Sequence, residues 1–298
     1  MRRTMPLLLI FLVPAANVIG QTSAYQTSDS TSSILIYNPD QNNPSTANVV
    51  FNVASTEFTA GYLHLAPAEG WSWGFGVFGK PSTGLSNQIF QTSAGDKIGG
   101  SITFGYHSLA GQANGWMVDD WLMLQLTYTH SAAEIITDAS SPAQKRTFDG
   151  PKALLLYNFY APARNAATIL FGFAGGMAKS NNIDALTPVT INSPLLQSAV
   201  GVTPSFTVVK SVNGYSGLYR TYTSAPIYTD AVVIPRKLEW TTLDFFTRSD
   251  VAAFNRYIEG GIGLFIAAPN MPTKVLGGIT WSWKNGKPML GIVAGWAF

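Results

Sequence analysis

Three histidines, His64, His107 and His130, are the only imidazoles in a chain of 298 residues that has no cysteine. Two of them precede a serine, as His107-Ser108 and His130-Ser131. A histidine beside a hydroxyl is the pairing that activates a nucleophile, and a carboxylate such as Glu134 can orient the ring. His107 and His130 are therefore the candidate catalytic residues. Neighbours on an extended chain point to opposite faces, so neither pair forms a dyad in place. A bend at a strand end, or a serine from an adjacent strand, would be needed. The histidines lack the close spacing of metal ligands. The absence of Cys excludes thiolate metal sites, disulfides and cysteine nucleophiles. No metal or cofactor is expected.

Gly74-Phe75-Gly76-Val77-Phe78-Gly79 matches G-x-G-x-x-G. A dinucleotide site needs that motif at a strand-to-helix turn. Here it lies within an alternating stretch and no helix follows, so the glycines are read as room on one face. A second polar set has chemical potential of another kind. Lys274, Thr280, Ser282 and Lys284 share one parity, and Tyr257 and Glu259 share another with Gly261 and Gly263. Arg256 falls on the opposite parity, near a rim. On an inner face such groups either cross-link a narrow interior or line a pore and set its ion preference.

Positioning these residues requires strands. Trp71, Trp73, Phe75 and Val77 alternate with Ser72, Gly74 and Gly76, and Leu122, Leu124, Leu126 and Tyr128 alternate with Met123, Gln125, Thr127 and Thr129. Similar alternation runs through 97–108 and 273–284. Period two gives each segment one apolar face and one small or polar face. Bulky aromatics (Trp71, Trp73, Tyr106, Tyr128, Trp281 and Trp283) cluster near segment ends, as in interfacial girdles. The opposite face is rich in Gly, Ser and Thr rather than charge. Both features favour lipid over water on the apolar side. Strands cross lipid only as a closed barrel, because every backbone group must be satisfied internally.

The pattern predicts strands at 47–55, 57–66, 70–79, 97–108, 118–130, 150–161, 166–178, 205–222, 236–248, 255–267, 273–284 and 287–298. The fold class is all-β, a transmembrane antiparallel up-and-down barrel of about twelve strands, with ten to fourteen compatible with the pattern. Asn213-Gly214 within 205–222 is a hairpin signal that would split that segment into two short strands in a loop. In 236–248, Leu238, Trp240 and Phe246 share parity with Asp244 and Arg248, which a bulge would reset. Tight turns are expected at 67–70, 162–165, 235–236 and 269–272, and longer loops at 80–96, 131–148 and 180–204. Short turns would face the periplasm and long loops the outside. Loop 180–204 carries Leu186, Val189, Ile191, Leu195 and Leu196 with Asp184 as its sole charge, so it is expected to fold over the mouth as a lid.

Only 11% of the residues are charged, while 46% are hydrophobic and 12% aromatic. That composition argues against a disordered chain and against a nucleic-acid binder. Arg2 and Arg3, the apolar run 6–13 and the small residues Ala15, Ala16 and Gly20 read as a cleaved secretory signal over 1–20. Removing it takes two of the 18 basic side chains and none of the 16 acidic ones, which leaves the remainder balanced. Residues 21–46 are polar and suit a periplasmic leader, with the barrel over 47–298.

The chain ends Leu290-Gly291-Ile292-Val293-Ala294-Gly295-Trp296-Ala297-Phe298, with Leu290, Ile292, Ala294, Trp296 and Phe298 on one face. This strand resembles the C-terminal strand of bacterial outer-membrane β-barrel proteins. The resemblance implies that Trp296 and Phe298 belong to the signal read by the barrel-assembly machinery. It also implies that the strand closes the sheet against the first one, and that outer-membrane lipid surrounds the protein. Some barrels of this superfamily are lipid-processing esterases, but the His-x-Ser-Asn pattern of such enzymes is absent. The expected function is a small channel for small or apolar solutes. A structural or adhesive barrel with a filled lumen is the alternative, and a lipid hydrolase a third.

Overall fold

The computed structural model describes residues 45–52, 57–64, 66, 69–80, 97–113, 116–137, 143–163, 167–195, 208–238, 241–251, 257–268 and 271–297. The expected signal, all but the last two residues of the leader, loop residues 81–96 and Phe298 lie outside them.

The described strands are β1 (Ser45–Asn52), β2 (Glu57–His64), β3 (Gly70–Lys80), β4 (Lys97–Ala113), β5 (Trp116–Ile136), β6 (Gln144–Ala163) and β7 (Ala167–Asn181). There follow β8 (Thr187–Leu195), β9 (Val208–Ser216), β10 (Thr221–Ser224), β11 (Pro226–Pro235) and β12 (Thr241–Asp250). The chain finishes with β13 (Tyr257–Ala268), β14 (Met271–Lys284) and β15 (Lys287–Ala297). Each of β1 to β6 pairs antiparallel with the next. The series continues from β7 to β11 and on to β15. β15 then pairs with β1, Trp296 opposite Val49. The result is a closed, twelve-stranded, up-and-down antiparallel barrel, and closure removes every edge from the wall.

The turns expected at 67–70, 162–165 and 235–236 fall at the β2–β3, β6–β7 and β11–β12 junctions, all at the end where β1 begins and β15 finishes. Met271 and Pro272, expected in a turn, instead open β14 beyond a register shift at Ala267/Ala268. At the opposite end β14 and β15 are joined by Asn285 (φ 50°) and Gly286 (φ 78°). A two-residue hairpin turn of this hand needs positive φ at both positions, and Asn-Gly tolerates it best.

Four expectations are corrected. Segment 205–222 is not a wall strand: β9 pairs antiparallel with β8 and, in parallel, with Ile135 and Ile136 of β5. The wall strand next to β7 is β10 together with β11, which share one register against it, from Thr221 opposite Asn181 to Pro235 opposite Ala167. Their break comes at Ala225-Pro226, where proline has no N–H for the ladder. Prolines at 226 and 235 disguise this strand in the sequence. The loop expected at 131–148 is largely strand, because β5 and β6 stay paired out to Ile135 opposite Gln144. Loop 180–204 contains the ordered strand β8. Finally, β12 needs no bulge: Thr242, Asp244, Phe246, Arg248 and Asp250 all face inward, so its charges belong to the interior.

The two faces differ as lipid and core demand. Outward side chains are large, apolar and exposed, including Trp71 (70%), Ile258 (73%), Phe75, Ile102, Leu122, Leu155, Phe173, Ile262 and Trp281. A continuous apolar belt of this size is incompatible with water and matches a bilayer. No described helix is long and apolar enough to cross a membrane. Inward residues are small, polar or packed. Ser72, Ser101, Thr103, Gln125, Asn158, Thr280 and Ser282 are all buried.

Candidate lumenal site

The inner wall is divided by chemistry. On β5–β7, Met123, Leu154, Leu156, Leu170 and Ala174 form an apolar cluster that continues onto β11 through Tyr228, Val232 and Ile234. On β11–β13 several inner positions become ionisable. Period two places Asp230 on β11, Asp244, Arg248 and Asp250 on β12, and Glu259 on β13 on the lumenal side. All five are buried.

Arg248 organises this wall. Its Nη1 lies 2.6 Å from Asp230 Oδ1, with both side chains at most 1% exposed. The same nitrogen donates to the carbonyls of Thr229 (2.9 Å) and Thr247 (2.8 Å). The guanidinium stands 5.4 Å from the Tyr228 ring centre and 5.2 Å from that of Phe246. A buried charge needs this combination of counter-ion, hydrogen bonds and aromatic faces to offset its desolvation. Asp250 accepts from the Ala225 N–H at 3.0 Å, which caps the break between β10 and β11. Glu259, in register with Arg248, accepts from Ser282 Oγ at 2.8 Å. Glu259 Oε2 and Asp244 Oδ1 have no hydrogen-bond partner.

Among the expected lumenal residues, Glu259, Thr280 and Ser282 face inward. Tyr257 stands in register with Asp250 and Lys284 with Glu259, while Lys274 lies in the stretch of β14 at the register shift. The aromatics Trp71, Trp73, Tyr106, Tyr128, Trp281 and Trp283 face outward. Trp71 meets Tyr106 edge-on at 5.7 Å, and Trp281 lies 4.6 Å from Trp283. Trp296 is on the closing strand.

The structure separates the histidines from their serines. His107 faces inward, stacks on Trp121 at 4.6 Å and donates from Nδ1 to the Ala66 carbonyl at 2.8 Å. Ser108, on the other face, donates to Asp120 at 2.6 Å. His130 lies outward and meets Asp149 Oδ1 at 2.8 Å, where Tyr128 OH also donates at 2.5 Å. Asp149, not Glu134, is therefore the carboxylate on His130; Glu134 stands in register with Lys145. Sequence reasoning missed Asp149, Asp230, Asp244 and Arg248. The first fell between the loop expected at 131–148 and the strand expected at 150–161, and the second in no expected strand. For the other two the signal was present, as charge sharing parity with Phe246, but was read as a phase error.

No protein-family model and no curated protein matches the chain. Nine solved chains do. Among them is the crystal structure of the β domain of the Bordetella autotransporter BrkA, with 8% identity over 85% of this chain and 97% of that chain, and a TM-score of 0.37. The barrel itself follows from the closed register and the two faces described above.

Proposed function

We propose that this protein is an outer-membrane transport barrel whose lumen is a gated path for small polar solutes, closed to bulk water in the conformation described. The observation that carries the reading is the set of buried lumenal atoms without hydrogen-bond partners: Asp244 Oδ1, Glu259 Oε2, Gln125 Oε1, Thr127 Oγ1 and both amide atoms of Asn158. Each such group costs about 1–3 kcal/mol when left unsatisfied. A lumen serving only as packing would use apolar side chains there, as the cluster of Met123, Leu154, Leu156 and Leu170 does. Polar atoms facing a central path are what passing water or solute would satisfy. The lining moves the expectation from apolar towards polar solutes. Export through the signal at 1–20, assembly through the Trp296–Phe298 strand, and gating by the 180–204 segment with its strand β8 complete the reading.

Reconstitution tests it directly. Folded protein, recognised by a heat-dependent shift in detergent gels, should conduct ions in planar bilayers and pass small sugars or amino acids into liposomes. Folded protein that does neither removes the reading. A second reading, an adhesive or scaffolding barrel, is favoured by one feature. The β8–β9 hairpin extends the sheet beyond the wall on the upper end of β5, a platform suited to display. Such a barrel would bind a surface while passing no solute.

A further inference from the structure

The inner faces of β11–β13 carry four carboxylates, Asp230, Asp244, Asp250 and Glu259, against one guanidinium, Arg248, all buried. Lys284 is the next cationic residue by backbone register, opposite Glu259. Two of the carboxylates are held, Asp230 by Arg248 and Asp250 by the Ala225 N–H. The other two each keep an oxygen without a partner although Asp244 is 3% exposed and Glu259 fully buried.

Register gives their arrangement. Asp244 stands opposite Val232, one inward step along β11 from Asp230. Arg248 lies four residues further along β12 and faces Glu259. At about 3.4 Å per residue, the open carboxylates of Asp244 and Glu259 are offset by roughly 14 Å along the wall. Asp230 and Arg248 lie between and beside them. In the same wall Gly261 stands opposite Phe246 and Gly263 opposite Asp244, and a Cβ there would overlap the rings of Phe246 and Phe265 respectively. Glycine at both positions leaves room for those rings against the inner wall.

Among the described residues, no three carboxylate or imidazole groups converge as metal ligands. Single carboxylates spaced along a wall suit monovalent cations passed from one to the next rather than a chelated divalent ion. Arg248 shows what a cation meets there: a carboxylate, two carbonyls and two aromatic faces. We propose that this wall is a cation-selective track for monovalent cations, organic ammonium groups included, with Asp244 and Glu259 as its open sites. Arg248 is the tethered cation that occupies the track and limits passage. The inference rests on the channel reading above and names the selectivity of that path.

The test is a reversal-potential measurement in planar bilayers under a KCl gradient. The wild-type protein is expected to prefer K⁺ over Cl⁻. In the isosteric double variant Asp244→Asn/Glu259→Gln the permeability ratio should fall by about tenfold, equal to about 1.4 kcal/mol. Glu259→Gln alone carries the test if the double variant does not fold. Asp230→Asn/Arg248→Met removes the tethered cation with its partner, so conductance should rise while the preference for K⁺ remains. Conductance with no preference for K⁺, or an unchanged ratio in the carboxylate variants, overturns the inference and leaves the channel reading standing. Folded protein without conductance in every variant overturns both.

Discussion

The inner walls on β5–β7 and on β11–β13 stand behind outer faces of the same kind. Leu122, Leu126, Leu155, Phe171 and Phe173 cover the first, and Phe245, Ile258, Ile262 and Leu264 the second. Inside, they diverge. The first buries Met123, Leu154, Leu156 and Leu170 against one another. The second buries an ion pair, two open carboxylates and the cation–aromatic contacts of Arg248. The outer face is dictated by the bilayer, which accepts only apolar groups along the whole belt. The inner face is free of that demand and can combine an apolar cluster that stabilises with a charged wall organised by Arg248. The apolar cluster and the charged wall thus occupy different sectors of one closed sheet.

The largest expected effect comes from breaking the ion pair alone. Arg248→Ala strands Asp230 in the interior and should cost about 3–5 kcal/mol, read as a lowered urea midpoint for the barrel in lipid. Asp230→Asn/Arg248→Met should recover most of that loss. If the single variant is as stable as wild type, the charged wall is not organised by this pair. On the apolar wall, Leu154→Ala should destabilise by about 2–5 kcal/mol while leaving ion preference unchanged. A shift in reversal potential there would erase the division between the walls. Crowding the ladder is expected to be milder. Gly261→Ala puts a methyl against the Phe246 ring and Ser282 Cβ. Overpacking of that kind costs about 1–3 kcal/mol, and conductance should fall with it. The smallest effect belongs to the exterior, where Thr229 and Thr247 share a hydroxyl hydrogen bond of 2.7 Å. Replacing both with Val removes donor and acceptor together, so thermal unfolding in detergent should move by less than about 1 kcal/mol.

Much of the wall was legible because lipid imposes a simple rule on alternate residues. Trp71 to Val77 and Leu122 to Tyr128 declare their strands by parity alone, and Asn285-Gly286 declares its turn. The strand over 221–235 was not legible. Its prolines disguise it, and only pairing with β7 and β12 reveals that the ladder with β7 is interrupted at 225 and 226 alone while its register continues. In β12, charge on the parity of Phe246 looked like a fault in phase because Leu238, Trp240 and Phe246 share that parity with Asp244 and Arg248. His130 and Asp149 are 19 residues apart, and only the β5–β6 register brings them together.

The sequence by itself determined the class of the fold, the apolar outer face and the approximate strand number, since period two and the absence of charge are local properties that a bilayer enforces residue by residue. The tertiary structure decided which strand fills the place after β7, that β9 leaves the wall to lie on β5, and that Asp230, Asp244, Arg248 and Glu259 share one wall. Those outcomes depend on cross-strand register, and register is set by which strands pair, a long-range choice that no single segment encodes.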